Sequence, residues 1–262
     1  MFKQFRVAAT GMSAMEKDLI TITDNVSNVK TTGFKKARVE FENLFPEILN
    51  EAISDSERDR VSPRLEFGSG VRVVGTPRDF SSGTIEVTNN PLDVAIQGEG
   101  FLQFRLTDGT TAYSRAGNLH QDRDGRLTDI NGNFLEPEIT LPRNTTGVII
   151  ATDGTVYVQE NNEIQQRQIG QITLVRFVNP PGLTTIGGNL YKETEASGEP
   201  TEGLPANEGY GSIAQFSLES SNVDVVQEMM RMIMTQRAFD VISKAIQSGE
   251  GMLNSAIEVA RG

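Results

Sequence analysis

FRVAATGMSAMEKDLITITDNVSNVKTTG, residues 5–33, places an apolar side chain at every third or fourth position: Phe5, Ala8, Met12, Met15, Leu19, Ile22, Val26 and Val29. Steps of three and four with polar residues between them draw one apolar seam along an α-helix. The spacing predicts a helix from Phe2 to Val29, about 40 Å long at ~1.5 Å per residue. It stops at Thr31, Thr32 and Gly33, where two β-branched residues precede one that is free to take positive φ. So long a helix with so narrow a seam is marginal alone, because ordering its backbone costs about as much as the seam returns. It needs a partner surface.

The other end of the chain offers one. Ser221, Asn222, Val223 and Asp224 read as an N-cap with an acid three residues on. A second apolar series accompanies them: Val223, Val226, Met230, Ile233, Val241, Ala245, Met252, Ala256 and Val259. Pairing two thin stripes leaves their flanks bare. Neighbouring copies of the chain would cover those flanks, or the helices form an intramolecular hairpin on a globular domain, and pattern alone leaves both readings open. Met229, Met230, Met232 and Met234 suit either, since Met adapts to irregular gaps.

Between the helices the texture is that of strands. Val71-Arg72-Val73-Val74, Val94-Ala95-Ile96, Val148-Ile149-Ile150, Thr155–Val158 and Ile172–Val178 are β-rich runs. Turns at Asp108-Gly109, Asp124-Gly125, Asn131-Gly132 and Asp153-Gly154 punctuate this region. The polar segment from Glu47 to Pro63 reads as an extended loop, or as a weak helix followed by a loop. The expected fold is α+β: residues 1–35 plus 219–262 as a coiled-coil core domain, 36–69 as an extended connection, and 70–218 as an inserted, mainly antiparallel β domain.

Composition narrows the chemistry. The 262 residues carry 24 Lys and Arg against 35 Asp and Glu, a net charge of −11, which disfavours nonspecific nucleic-acid binding. Residues 1–38 are nevertheless net +4, leaving −15 for the remainder, so a basic N-terminal stretch stands beside an acidic remainder. Cysteine is absent, which excludes disulfides and thiolate metal sites. No apolar run reaches membrane-spanning length, and Gln4, Thr10, Ser13, Glu16 and Lys17 interrupt any signal-peptide core, so neither membrane insertion nor a cleaved signal peptide is expected.

No constellation carries catalysis. His120 is the single histidine, and no zinc set or nucleophile pair surrounds it. Gly98-Glu99-Gly100 and Gly187-Gly188 lack the strand-then-helix context of a phosphate loop and read as turns. Asp122-Arg123-Asp124-Gly125 is a hairpin turn rather than a calcium loop, since its glycine comes too early. Acid pairs such as Asp93 and Glu99 could be proposed as a glycosidase dyad, but carboxylates are abundant here and chance accounts for such a pair. No catalytic, metal or cofactor residues are assigned.

Specific words then outweigh texture. Asp24-Asn25-Val26-Ser27-Asn28-Val29-Lys30-Thr31-Thr32-Gly33-Phe34-Lys35 resembles the N-terminal signature of the bacterial flagellar axial proteins, the rod and hook subunits, departing from it at Asp24, Val26 and Ser27. Asn89 to Phe101, Tyr113-Ser114-Arg115-Ala116-Gly117, Gly188-Asn189-Leu190-Tyr191, Glu219 to Asp224 and Gln236-Arg237-Ala238-Phe239 resemble further family elements in the same order. The length and the polar insert after Phe45 are most similar to distal-rod members, with proximal rod and hook subunits as alternatives. The resemblance implies a non-enzymatic subunit that polymerises helically and transmits torque. It implies as partners many copies of the same chain, other rod proteins, the hook protein or its junction, the P and L rings, and the flagellar type III export apparatus. It implies a place in the periplasm-spanning rod. The subunit-interface residues expected are Phe5, Met12, Met15, Leu19, Ile22, Asn25, Val26, Asn28, Val29, Gly33, Phe34, Val223, Val226, Met230, Ile233, Arg237, Val241, Ala245 and Met252. A cell-wall enzyme with a β domain, or a basic helix binding anionic membrane surfaces, would be the alternatives from other classes.

Overall fold

A computed structural model describes residues 2–50, 54–55, 60–61, 65–160 and 166–261. The chain is mixed helix and antiparallel sheet: helix α1 spans Phe2–Ser27, helix α2 spans Val225–Arg261, and short strands fill the sequence between them. It divides into two compact units. Met1–Val26, Ala37–Pro77 and Val225–Gly262 form the helical unit; Ser27–Lys36 and Arg78–Asp224 form the β unit.

In the helical unit α1 and α2 run antiparallel. Asn25 meets Glu228, Asp18 meets Arg231 and Thr235, a Cβ on Gly11 would meet Ile242, and one on Gly249 would meet Phe5. The packed stripes differ from the expected seams. On α1 the buried residues are Ala14, Asp18, Ile22 and Asn25, while Phe5, Met12, Met15, Leu19 and Val26 are only half-buried. On α2 the covered side carries Glu228, Arg231, Thr235, Ile242 and Ile246, and the expected series Val226, Met230, Ile233, Val241, Ala245 and Met252 lies exposed. The reason is polar pairing. Asp18 Oδ2 accepts from Thr235 Oγ1 at 2.9 Å, Asp18 Oδ1 accepts from Arg231 at 3.2 Å, and Arg231 also pairs with Glu228 at 3.2 Å. Polar side chains that satisfy one another occupy an interior stripe that apolar periodicity cannot reveal.

Strand Glu40–Asn43 pairs with Val71–Gly75 in this unit, and Glu47–Asn50 pairs with Leu65–Phe67. Ser54–Asp55 pairs with Arg60–Val61. The described parts of the 47–63 segment are thus antiparallel strands rather than loop or helix. Its charged residues Glu51, Glu57, Arg58 and Asp59 lie outside the described residues.

The β unit is organised by a seven-stranded antiparallel sheet in the order His120–Gln121, Leu127–Thr128, Phe134–Glu136, Leu102–Arg105, Thr111–Ser114, Leu190–Lys192, Thr184–Gly187. Its middle is covered on both sides, and adjacent residues belong to different clusters as a pleat of period two requires. Ala112 and Leu190 join Leu102, Phe104, Leu135 and Ile172 in the larger core. Tyr113 and Tyr191 join Phe101, Val175 and Phe177 in an aromatic one, where Phe80 stands edge-on to Phe101 at 5.3 Å and to Tyr191 at 5.0 Å.

Two-stranded ladders complete the unit. Val94–Gln97 pairs with Ser212–Gln215, and Ile85–Val87 with Ser217–Glu219. Between those last two C-terminal strands, Phe216 takes φ +57. The chain changes ladder there.

Candidate functional site

Residues 27–36, which follow α1, and 217–224, which precede α2, lie side by side inside the β unit. Gly33 N donates to Glu219 O at 2.8 Å, and Lys36 N to Asn222 Oδ1 at 2.8 Å. Gly33 has φ +67, and a Cβ there would stand 2.6 Å from Ala116 N, so only glycine admits this close approach. Asn222 Nδ2 donates in turn to Asp79 O at 2.8 Å. Ser221, expected as an N-cap, does not serve as one: α2 begins four residues later, and Ser221 Oγ accepts from Val223 N at 3.3 Å.

At the centre of this junction is a buried ionic triad. Glu219 is 0% exposed; its Oε1 accepts from Lys35 Nζ at 2.7 Å and from Gly83 N at 2.8 Å, and its Oε2 accepts from Arg115 Nε at 2.8 Å. The cations have their own acceptors. Lys35 Nζ donates to Ser81 O at 2.6 Å, and Arg115 donates to Gly100 O and Gly98 O, each at 2.9 Å. Burial pushes the Lys35 ammonium below the ordinary lysine value, with Glu219 restoring part of that and Arg115 adding to it. Burial pushes the Glu219 carboxyl up, yet Arg115 and Lys35 together outweigh it and hold the group below the ordinary glutamate value. Two cations against one anion, each with carbonyl or amide partners, make a satisfied charge cluster rather than a reactive one. Asn189 Nδ2, donating to Thr32 O at 2.9 Å, adds another tie to the same junction.

The second feature is a bare face on α2. Val226, Met230, Ile233, Arg237, Val241, Ala245 and Met252 recur at steps of three, four and seven and are all exposed, Val226 at 65%, Val241 at 66% and Met252 at 65%. Met229 and Met234 widen the stripe. From Val226 to Met252 it runs about 39 Å at ~1.5 Å per residue. α2 therefore packs a mixed polar and apolar side against α1 and leaves an apolar side uncovered. Beside it, a groove of about 620 Å³ is lined by Val7, Ala8, Gly11, Phe67, Val241 and Ile242. A second groove, about 350 Å³, lies between Met12, Met15, Leu19 and Phe239.

The remaining expected interface residues are divided between the units. Ile22, Asn25, Gly33, Phe34 and Val223 are covered by their own chain. Asn25 exchanges two hydrogen bonds with the Ala37 backbone, at 2.8 and 2.9 Å, and Arg78 lies over the Phe34 ring at 5.1 Å. Asn28 and Val29 are half-buried in the turn after α1, where Thr31 N donates to Asn28 O at 3.1 Å. Asp93 and Glu99 do not converge as a dyad: Asp93 accepts from Thr88 and Asn90, while Glu99 pairs with Arg176 at 2.8 Å. His120 is exposed. Among the described residues no group of acids and histidine is arranged to hold a metal ion, and no described helix is long and apolar enough to cross a membrane.

Sequence reasoning quoted Lys35, Arg115 and Glu219 inside motifs but gave them no role. Only the word around Arg115 holds a single charge; those of Lys35 and Glu219 carry other charges as well, so no signal in the sequence singled these two out.

Three family models match the chain in order. They are "Flagella basal body rod protein" over residues 5–35, "Flagellar hook protein FlgE/F/G D1 domain" over 95–158, and "Flagellar basal body rod FlgEFG protein C-terminal" over 214–259. The flagellar basal-body rod protein FlgG of Buchnera aphidicola subsp. Acyrthosiphon pisum is 40% identical over 254 residues, covering 97% of this chain and 98% of the relative. That of Borreliella burgdorferi is 39% identical over 264 residues, covering all of both chains, and that of Caulobacter vibrioides 38% over 256 residues, covering 97% and 98%. The chain belongs to the flagellar basal-body rod protein family. This family is structural, not enzymatic. Each of the three matched spans holds one member of the triad: Lys35 ends the first, Arg115 lies in the second and Glu219 in the third. Three of the words that carry the family resemblance therefore meet at one junction.

Proposed function

We propose that the chain is the structural subunit of the distal flagellar rod. Many copies join through open, heterologous contacts into a helical tube that carries torque from motor to hook. In this reading the terminal helices pack against those of neighbouring copies in coiled-coil fashion and form the inner layer, and the β units form the outer one. The observation that carries it is the bare apolar face of α2: a monomer that ended its life alone would place polar residues there. The groove between Met12, Met15, Leu19 and Phe239 shares no residue with the stripe and supplies a receiving surface distinct from it. A contact between unlike surfaces repeats along an axis instead of closing into a dimer. Arg237 lies within the apolar stripe, where a lone charge sets the register of helix pairing at some cost in stability. Other rod proteins and the hook protein are the partners at the two ends of the tube, a reading supported by family descriptions that name both.

Electron microscopy of the concentrated protein tests this. Tubes of uniform width are expected, and Ile233→Asp is expected to abolish them while the β unit stays folded by circular dichroism. A chain that remains monomeric at millimolar concentration under all salt conditions, or an Ile233→Asp variant that still forms tubes, would count against the proposal.

A further inference from the structure

The triad couples parts of the chain that are far apart in sequence. Lys35 and Glu219 are separated by 184 residues and Arg115 and Glu219 by 104. Strand Ser217–Glu219 is the last strand of the β unit, and it delivers the only anion of the triad. Without that carboxylate, Lys35 and Arg115 are two buried like charges, and the Gly83 amide loses its acceptor. Removing the counterion of a buried charge costs far more than the pair contributes. Segment 27–36 therefore has no favourable docked state until strand Ser217–Glu219 is in place. We infer that Glu219 acts as a latch: the N-terminal segment 27–36 docks onto the β unit only when residues 217–220 have paired with 84–87 and set the carboxylate between Lys35 and Arg115. The completed unit then forms only from a chain in which both of its ends are present. This device is independent of the assembly reading, since it concerns one chain.

Two reporters separate the steps. The Asp79 amide donates to Lys36 O at 2.9 Å and senses docking of the N-terminal segment without touching Glu219. The Ser220 amide donates to Thr84 O at 2.8 Å and senses arrival of the last strand. In pulse-labelled hydrogen exchange during refolding of the full chain, both amides are expected to gain protection in the same kinetic phase, after the core amide of Phe101. Protection of Asp79 before Ser220 would overturn the latch. At equilibrium Glu219→Gln is expected to speed exchange at Asp79 and Phe34 by roughly a hundredfold and to leave Phe101 unchanged. Adding Lys35→Met to it removes one of the two unpaired cations and should recover at least about tenfold of the lost protection. If Glu219→Gln alone fails to accumulate, the double variant should accumulate. A double variant no better than the single, or a single variant that exchanges like the parent at Asp79, would refute the coupling.

Discussion

Leu135 in the β unit is fully covered, whereas Val241 on α2 is 66% exposed, although both are branched aliphatic residues in regular structure. The β unit buries apolar side chains on both sides of its main sheet. α2 packs one side against α1 through a partly polar stripe and leaves the other bare. The difference lies in the number of layers available. A central strand finds cover above and below within its own chain, while a helix in a two-helix pair finds it on one side. One region is covered within its own chain and the other is not, and that contrast is what the subunit reading rests on.

Substitutions probe that contrast most strongly in the finished region. Phe104→Ala in the β core should lower stability by about 3 to 5 kcal/mol, seen as a fall in the urea midpoint of the β unit. A loss below about 1 kcal/mol would mean the core is not packed as described. Next comes Ile22, which is fully covered on α1. Ile22→Asp would bury an unpaired carboxylate and should strip exchange protection from α1 at neutral pH, at a cost of several kcal/mol. Leu19→Asp, at a half-buried position, should cost less, and equal losses would erase the distinction between the two stripes.

Acid should act on the β unit through its junction. The folded Glu219 carboxyl lies below its unfolded value, so the unfolded chain takes up a proton first as pH falls. Its contribution is therefore complete above about pH 4.3 and is lost as pH drops through the lower, folded value. Urea titrations between pH 7 and pH 3 should show this, and Glu219→Gln should flatten the dependence; an unchanged slope would assign acid sensitivity to other carboxylates such as Asp79, Asp108 and Asp153, whose values are also depressed. The smallest stability effect belongs to the unfinished region. Met230→Ser combined with Ile233→Ser should move the monomer's stability by no more than about 0.5 kcal/mol while weakening sedimentation-detected assembly. A large change in monomer stability would show that the exposed face supports the fold of the single chain.

The two terminal helices, the strand-rich middle and the turns at Asp124-Gly125 and Asp153-Gly154 were legible because each obeys a local rule of spacing or backbone conformation. Helix ends were legible only approximately. α1 stops at Ser27 rather than Val29, and α2 starts at Val225, because Asn28 and Ser221 to Val223 are engaged in nonlocal and turn contacts. The functional words were legible as words. Their meeting was not.

Residue order alone was enough to give a chain of mixed helix and strand with amphipathic ends, since periodicity, turn chemistry and composition are properties of neighbours along the chain. Which stripe of each helix packs, and that Lys35, Arg115 and Glu219 form one buried cluster, depended on the tertiary structure. Paired charges and hydrogen-bonded polar residues look solvent-facing in a sequence, and become interior only when partners as many as 217 residues apart are brought within 3 Å to replace the water each has lost.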